Sequence, residues 1–360
     1  MKRGKVAKKQ KRRLLLKLIT NNAGPLKASW ASLGFATALI LILLSFPILE
    51  TSSDAWVTEH GAGQGGYLLP PNLIKEGFFF AESKIPIERP DVHERIVEQL
   101  NYLLMDRRAS VTEWFNMYAL YGQMVTESLK KENIPLDLVY LSMLLSEFDP
   151  DHKTRSGGIG WWALGSSRDG SGKTGVPWFS SNDWDDRRDP EISTRIAAEI
   201  LQGLRKKHEK EDWLILISAF IDGADKIDPI IKKSHGFSFW DIVAPPPSDS
   251  LIPRLIALKI IHQHRTFYCV TITQANHLAH DNLGKIKLAK DLALTLVAKW
   301  TGDIPRNIWL LNPGVNPLLG LLPKVDKRAP NGFPLRVPKG TGSNVKKLLQ
   351  TDGYLNNQLQ

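Results

Sequence analysis

The residues able to move a proton or grip a sugar gather in the middle of the chain. Glu147 and Asp149 stand at the end of an apolar run, IPLDLVYLSMLLSEF (134–148). A carboxyl group held there could protonate a departing oxygen and then serve as a base. Farther on, Gly157, Gly158 and Gly160 open a loop that carries the paired Trp161 and Trp162. Two readings fit these tryptophans, a platform that stacks on pyranose rings or a piece of the core. Arg187, Arg188 and Asp189 precede Pro190, an arrangement that pairs charges and caps a helix. His262 and His264 have no acidic or cysteine partner at metal-ligand spacing, so they read as surface residues and no metal is expected. There is no phosphate-binding glycine loop and no serine nucleophile elbow, and no cofactor is implied.

The elements that would position these groups are mostly helical. Ile96, Leu100, Leu103 and Leu104, then Trp114, Tyr118, Tyr121, Met124 and Val125, recur at helical spacing and predict two helices between 92 and 131. The run 134–148 is apolar almost all round, the pattern of a central buried helix. Residues 190–207 and 213–220 read as two more helices, and three prolines at 245–247 mark a break before another near 251–262. After Cys269 come a strand-like KIKLA, helical ALTLVAKWTG and IPRNIWLLNPGV, and a strand-like FPLRVP. The last twenty residues are polar from Gly340 and read as frayed.

Charge is distributed unevenly. The chain of 360 residues has a formal charge of +10, and its first 49 residues hold ten Lys and Arg and no acid, leaving 37 Lys and Arg against 37 Asp and Glu. A surface for nucleic acid would have to come from the tail alone, so no nucleic-acid partner is expected. Residues 31–49 form an uncharged stretch close to the roughly 20 residues that cross a bilayer as a helix. Cations on its amino-terminal side predict a cytoplasmic tail over 1–30 and an exported remainder. The long basic region and the lack of a small-x-small site before Thr51 favour an uncleaved anchor over a signal peptide. The single cysteine, Cys269, excludes both a lipid-anchored form and an internal disulfide.

Residues 133–150, NIPLDLVYLSMLLSEFDP, resemble the core helix of the lytic transglycosylase family, in its membrane-bound branch. That segment reads approximately N-L-P-x-E-L-x-x-L-P-x-x-E-S-x-F-D-P in the family. Asn133, Pro135, Leu138, Leu141, Ser146, Phe148, Asp149 and Pro150 match it without a gap. SGGIGWWAL (156–164) stands where the family has S-G-x-x-G-x-W-Q, and WDDRRDPEISTRIAA (184–198) where it has Y-D-x-R-R-D. LISAFIDGADKI (216–227) replaces A-A-Y-N-x-G, and IPRLIALKII (252–261) replaces a V-P-K helix. Five motifs in order over about 95–265 make the resemblance specific. The resemblance implies a mainly α fold with a lysozyme-like helical domain over 91–265, tethered by a linker over 50–90 to one transmembrane helix at 31–49. Residues 285–340 are loosely similar to a LysM-type glycan-binding unit of small α/β type, or form a capping unit without ligand, ahead of a flexible tail over 341–360.

The resemblance also implies chemistry. In the family one glutamate protonates the departing sugar oxygen and the 6-hydroxyl attacks, leaving a 1,6-anhydro sugar. That glutamate belongs directly before Ser146, where this chain has Leu145. Glu147 lies two positions on, about 200° round an α-helix. The glutamine after the loop tryptophan is Ala163, and the Tyr-Asn pair of the cleft is Phe220 and Ile221. The cleft expected from the match is therefore lined by Leu145, Ser146, Gly160, Trp161, Trp162, Ala163, Phe220 and Ile221, without a catalytic acid. The expected protein is a murein-binding transglycosylase relative of the bacterial inner membrane, single-pass, with a cytoplasmic amino terminus and a periplasmic domain. Its expected partners are peptidoglycan strands, the inner membrane and envelope proteins. Two alternatives stand beside it, an active enzyme that uses Glu147 and a scaffold of an envelope-spanning assembly.

Overall fold

The computed structural model describes residues 62–63, 66–165, 176–234, 238–273 and 278–355. Two short antiparallel pairs come first, β1 (Ala62–Gly63) with β2 (Gly66–Tyr67) and, after helix α1 (Pro71–Glu76), β3 (Phe78–Phe80) with β4 (Ser83–Ile85). A helical domain follows, made of α2 (Pro90–Asn101), α3 (Arg108–Lys131), α4 (Val139–Ser146), α5 (Pro190–Lys207), α6 (Trp213–Asp222), α7 (Ala224–Ser234) and α8 (Ser248–Gln263).

Local chemistry fixes the ends of these helices. Proline opens α2 and α5, where its missing N–H leaves no bond unmade. Asp189 caps α5 by accepting from the Glu191 and Ile192 amides at 3.1 and 3.0 Å, and Asp212 caps α6 through the Ile215 amide at 3.0 Å. The short α4, VYLSMLLS, is apolar on every side and lies between α3 and α8. It buries Leu141 and Met143 completely. The helix expected over 134–148 is shorter than its apolar run, because a 3-10 turn (Leu136–Leu138) precedes it and Glu147 and Phe148 adopt left-handed φ of 56° and 58°.

The carboxy-terminal part is a smaller α/β unit with its own core. β5 (His280–Ile286) pairs antiparallel with β8 (Phe333–Pro338), and β6 (Leu292–Ala293) with β7 (Leu321–Leu322). Helices α9 (Leu294–Thr301), α10 (Pro305–Leu311) and α11 (Gly342–Thr351) pack around them. Trp184, far earlier in the chain, belongs to this second core, where its ring lies 5.2 Å from that of Phe333. The segment before α5 is thus shared by both cores.

Several expectations are corrected. The described part of the fold is not mainly α: it is about half helical and carries four two-stranded sheets. Among the described residues no helix is long and apolar enough to cross a membrane. The most apolar, α6, has only 10 residues, half of the ~20 required. The longest, α3, has 24 but carries charges such as Arg108, Glu113 and Lys130. The tail at 1–30 and the uncharged run at 31–49 lie outside the described residues. From Gly66 on, the presumed linker is part of the fold, since Phe78, Phe80 and Ile85 of the β3–β4 hairpin are buried. The presumed flexible tail forms α11, whose Val345 and Leu349 enter the second core, so spacing of two apolar residues outweighed the polar composition.

Candidate functional site

The end of α4 sets the site. Ser146 is buried, its hydroxyl donating to the Ser142 carbonyl at 2.9 Å and accepting from the Phe148 amide at 3.2 Å. These bonds hold the chain through the two left-handed residues that follow. Leu145, just before, is half-buried against the main core. Glu147 has left the helix altogether, so its direction is set by the left-handed turn and not by helical rotation. Its Oε1 accepts from Arg107 at 2.9 Å and its Oε2 from the Trp114 indole N–H at 3.3 Å. The Arg107 guanidinium also lies 5.7 Å from the centre of the Trp114 ring. Asp149, exposed at the turn, has its carboxyl pushed above the usual range by partial burial.

The tryptophan loop packs inward. Trp161 and Trp162 are 0% and 1% exposed, which leaves neither ring a face for a sugar. Trp161 sits 4.8 Å from Tyr121 and 5.0 Å from Phe148, and its indole N–H donates to the Arg188 carbonyl. Trp162 donates to Thr194 Oγ1 at 3.0 Å and meets Phe220 edge-on at 6.2 Å. The core reading of this pair therefore prevails, because each N–H finds an internal partner. Gly160, at φ 72°, brings the loop so close to the next segment that a Cβ would fall 1.9 Å from the Arg187 carbonyl oxygen. Ala163 is half-buried at φ 48°, and Phe220 and Ile221 are half-buried at the end of α6. At Leu145, Ala163, Phe220 and Ile221 the surface is thus apolar.

The Arg-Arg-Asp segment works as a brace. Arg187 grips Asp185 with Nε and Nη2 at 3.0 and 2.7 Å and donates Nη1 to the Gly165 carbonyl. Arg188 pairs with Asp151, and Asp189 with the wholly buried Arg336 of β8. His262 departs from the surface placement read from its neighbours. Its Nδ1 lies 2.8 Å from the Tyr140 hydroxyl, inside a box of Phe115, Tyr118 and Tyr140 rings. Burial, reinforced by Arg265, lowers its pKa to about 4. Among the described residues no three His, Cys, Asp or Glu side chains come together as a metal site.

A groove of about 1220 Å³ lies elsewhere, between the 177–187 segment, α5 and the loop before β8. Trp178, Phe179, Arg195, Lys285 and Arg328 line it, and none of these was singled out in the sequence. Nothing in the sequence could have found it, since its walls come from stretches more than a hundred residues apart.

No family model matches the chain. Over 205 residues it is 28% identical to membrane-bound lytic murein transglycosylase D from each of two strains of Escherichia coli, a stretch that takes in 55% of this chain and 42% of each relative. The chain thus spans less than half the length of the curated relatives it matches. Over that stretch the similarity supports a lytic transglycosylase-like relationship.

Proposed function

We propose that this protein binds murein glycan in the bacterial cell envelope without cleaving it. The observation that carries this reading is the end of α4, where the side chain directly before Ser146 is Leu145 and the following carboxylate, Glu147, is already engaged. Cleavage by the transglycosylase route needs an acid within hydrogen-bond reach of the departing oxygen. A leucine offers no proton. For Glu147 to serve, it would have to leave both Arg107 and Trp114.

Three more positions point the same way. Ala163, Phe220 and Ile221 present apolar surface where the resemblance leads one to expect an amide, a phenol and an amide. Such a surface can still stack on the C–H faces of sugars while giving up the contacts that orient an acid. The murein ligand and the envelope location are supported by similarity to transglycosylases named for murein and for the membrane.

The full-length protein, incubated with purified sacculi, should sediment with them and release no anhydro-muropeptides. Failure to sediment at low salt would refute the binding half of the proposal. Sustained anhydro-muropeptide release would refute the other half.

A further inference from the structure

The geometry points to the groove between the 177–187 segment and the loop before β8 as a glycan site of its own, one that takes saccharides carrying carboxylates. This rests on the murein-binding reading and extends it to a face that none of Leu145, Ala163, Phe220 or Ile221 lines.

The groove combines two kinds of surface. Trp178 and Phe179 are half-buried along one wall, with the Arg187 guanidinium 5.7 Å from the first ring and that of Arg328 5.0 Å from the second. Phe179 is held from behind by Phe333 at 5.3 Å. Such rings offer apolar area to the C–H faces of a pyranose. Arg195, Lys285 and Arg328 bring positive charge to the same space.

The cations of the lining outnumber its acids, with Arg187, Arg195, Lys285 and Arg328 against Asp183 and Asp186. Asp186 is held by the Phe179 amide at 2.8 Å and the Trp184 indole N–H at 2.7 Å, which fix its carboxyl against its own segment. Asp185, which does not line the groove, is committed to Arg187. Among the described residues Arg195 pairs with Glu199 and Arg328 with Asp326, each within its own segment and partly exposed. Exposed pairs of this kind contribute little and exchange readily for another carboxylate, and the planar guanidinium suits one well. A ligand that offers both a sugar face and a carboxylate therefore fits the groove better than a neutral sugar. The muramyl residues of murein, whose lactyl group ends either in a free carboxylate or in a peptide that carries carboxylates, have that chemistry.

The test compares two soluble probes of equal ring number, a peptide-bearing muropeptide and a neutral N-acetylglucosamine oligomer, by calorimetric titration of the full-length protein. The muropeptide should bind more tightly, and Arg195→Gln, Lys285→Gln and Arg328→Gln combined should weaken it by about tenfold while leaving the neutral probe unchanged. All three side chains are on the surface, and the melting temperature checks that the variant folds. A measurement on the unmodified protein guards against a folding failure: raising salt from about 0.05 to about 0.5 M should weaken the muropeptide and spare the neutral oligomer. Equal affinity for both probes, salt-insensitive binding, or a variant that keeps full muropeptide affinity overturns the groove assignment. Sacculus sedimentation reports separately on the murein-binding reading, so sedimentation without charge dependence sinks the groove alone.

Discussion

Arg336 of β8 and Asp189 at the cap of α5 meet through contacts of 2.7 and 3.1 Å, with both side chains wholly buried. Asp189 thus serves twice, since Oδ1 also accepts from two amides at the start of α5. Glu191 adds a third contact at 2.7 Å. Burial works against the charge on Arg336, but Asp189 and Glu191 outweigh it and keep the guanidinium firmly protonated. The next residue back, Arg188, supplies the carbonyl that receives the Trp161 indole. A continuous path therefore joins the second core to the tryptophan loop.

Arg336→Met should leave Asp189 buried without a counter-charge and cost about 3–5 kcal/mol. Arg328→Met, which removes an exposed pair, should cost under about 1 kcal/mol. Urea unfolding of the two variants side by side tests the contrast. Equal losses would mean that the buried pair is no more valuable than a surface one.

Gly160→Ala should destabilise by about 3 kcal/mol or more, because the new methyl meets the Arg187 backbone in a left-handed conformation. Gly165→Ala, where no atom stands within 4 Å, should stay within about 1 kcal/mol. Melting temperatures decide between them. A Gly160→Ala variant as stable as the Gly165→Ala control would contradict the close approach of loop and brace.

The sequence made some of this visible and hid the rest for physical reasons. Asp189 before Pro190 is a local capping signal, readable because the two amides it caps sit within three residues. Its other partner, Arg336, is 147 positions away, and no local pattern announces it. Trp161 and Trp162 were ambiguous because a tryptophan can stack on sugar or fill a core. Only their buried N–H partners, Arg188 and Thr194, separate the two. The polar tail after Gly340 misled because Val345 and Leu349 are enough to anchor a helix when a core is waiting for them. His262 misled in the opposite way, since its burial depends on rings from α3 and α4.

His262 predicts how stability changes with acid. Its folded pKa of about 4 lies below the ordinary 6.5, so the unfolded chain binds the proton more tightly. The stability it allows is complete above about pH 6.5 and is lost as pH falls toward 4, up to about 3 kcal/mol. Asp186 and Asp212 act in the opposite sense, because burial raises their carboxyls and folding then favours the protonated form. Comparison with His262→Gln isolates the histidine. The variant should lose less stability than the unmodified protein between pH 7 and pH 4.5, and parallel curves would place His262 in a hydrated setting.

The last prediction concerns Leu145 and Glu147, which stand two residues apart at the end of α4. Glu147→Gln keeps one acceptor oxygen, which can hold Arg107 or Trp114 in place of both, and the turn is held separately by the Ser146 hydroxyl, so the half-buried Leu145 should keep its place. If the protein binds murein without cutting it, sacculus binding should be unaltered within error, and no product exists to be lost. Leu145→Glu puts a carboxyl directly before Ser146, yet Ala163, Phe220 and Ile221 still offer nothing polar to hold the sugar or orient the acid. Positioning accounts for a large part of such catalysis, so this variant should release at most traces of anhydro-muropeptide. Adding Ala163→Gln, Phe220→Tyr and Ile221→Asn to Leu145→Glu should raise release well above that of the single change. Activity of the unmodified protein that disappears in Glu147→Gln would instead make Glu147 the acid, with the ion pair to Arg107 opening when glycan enters.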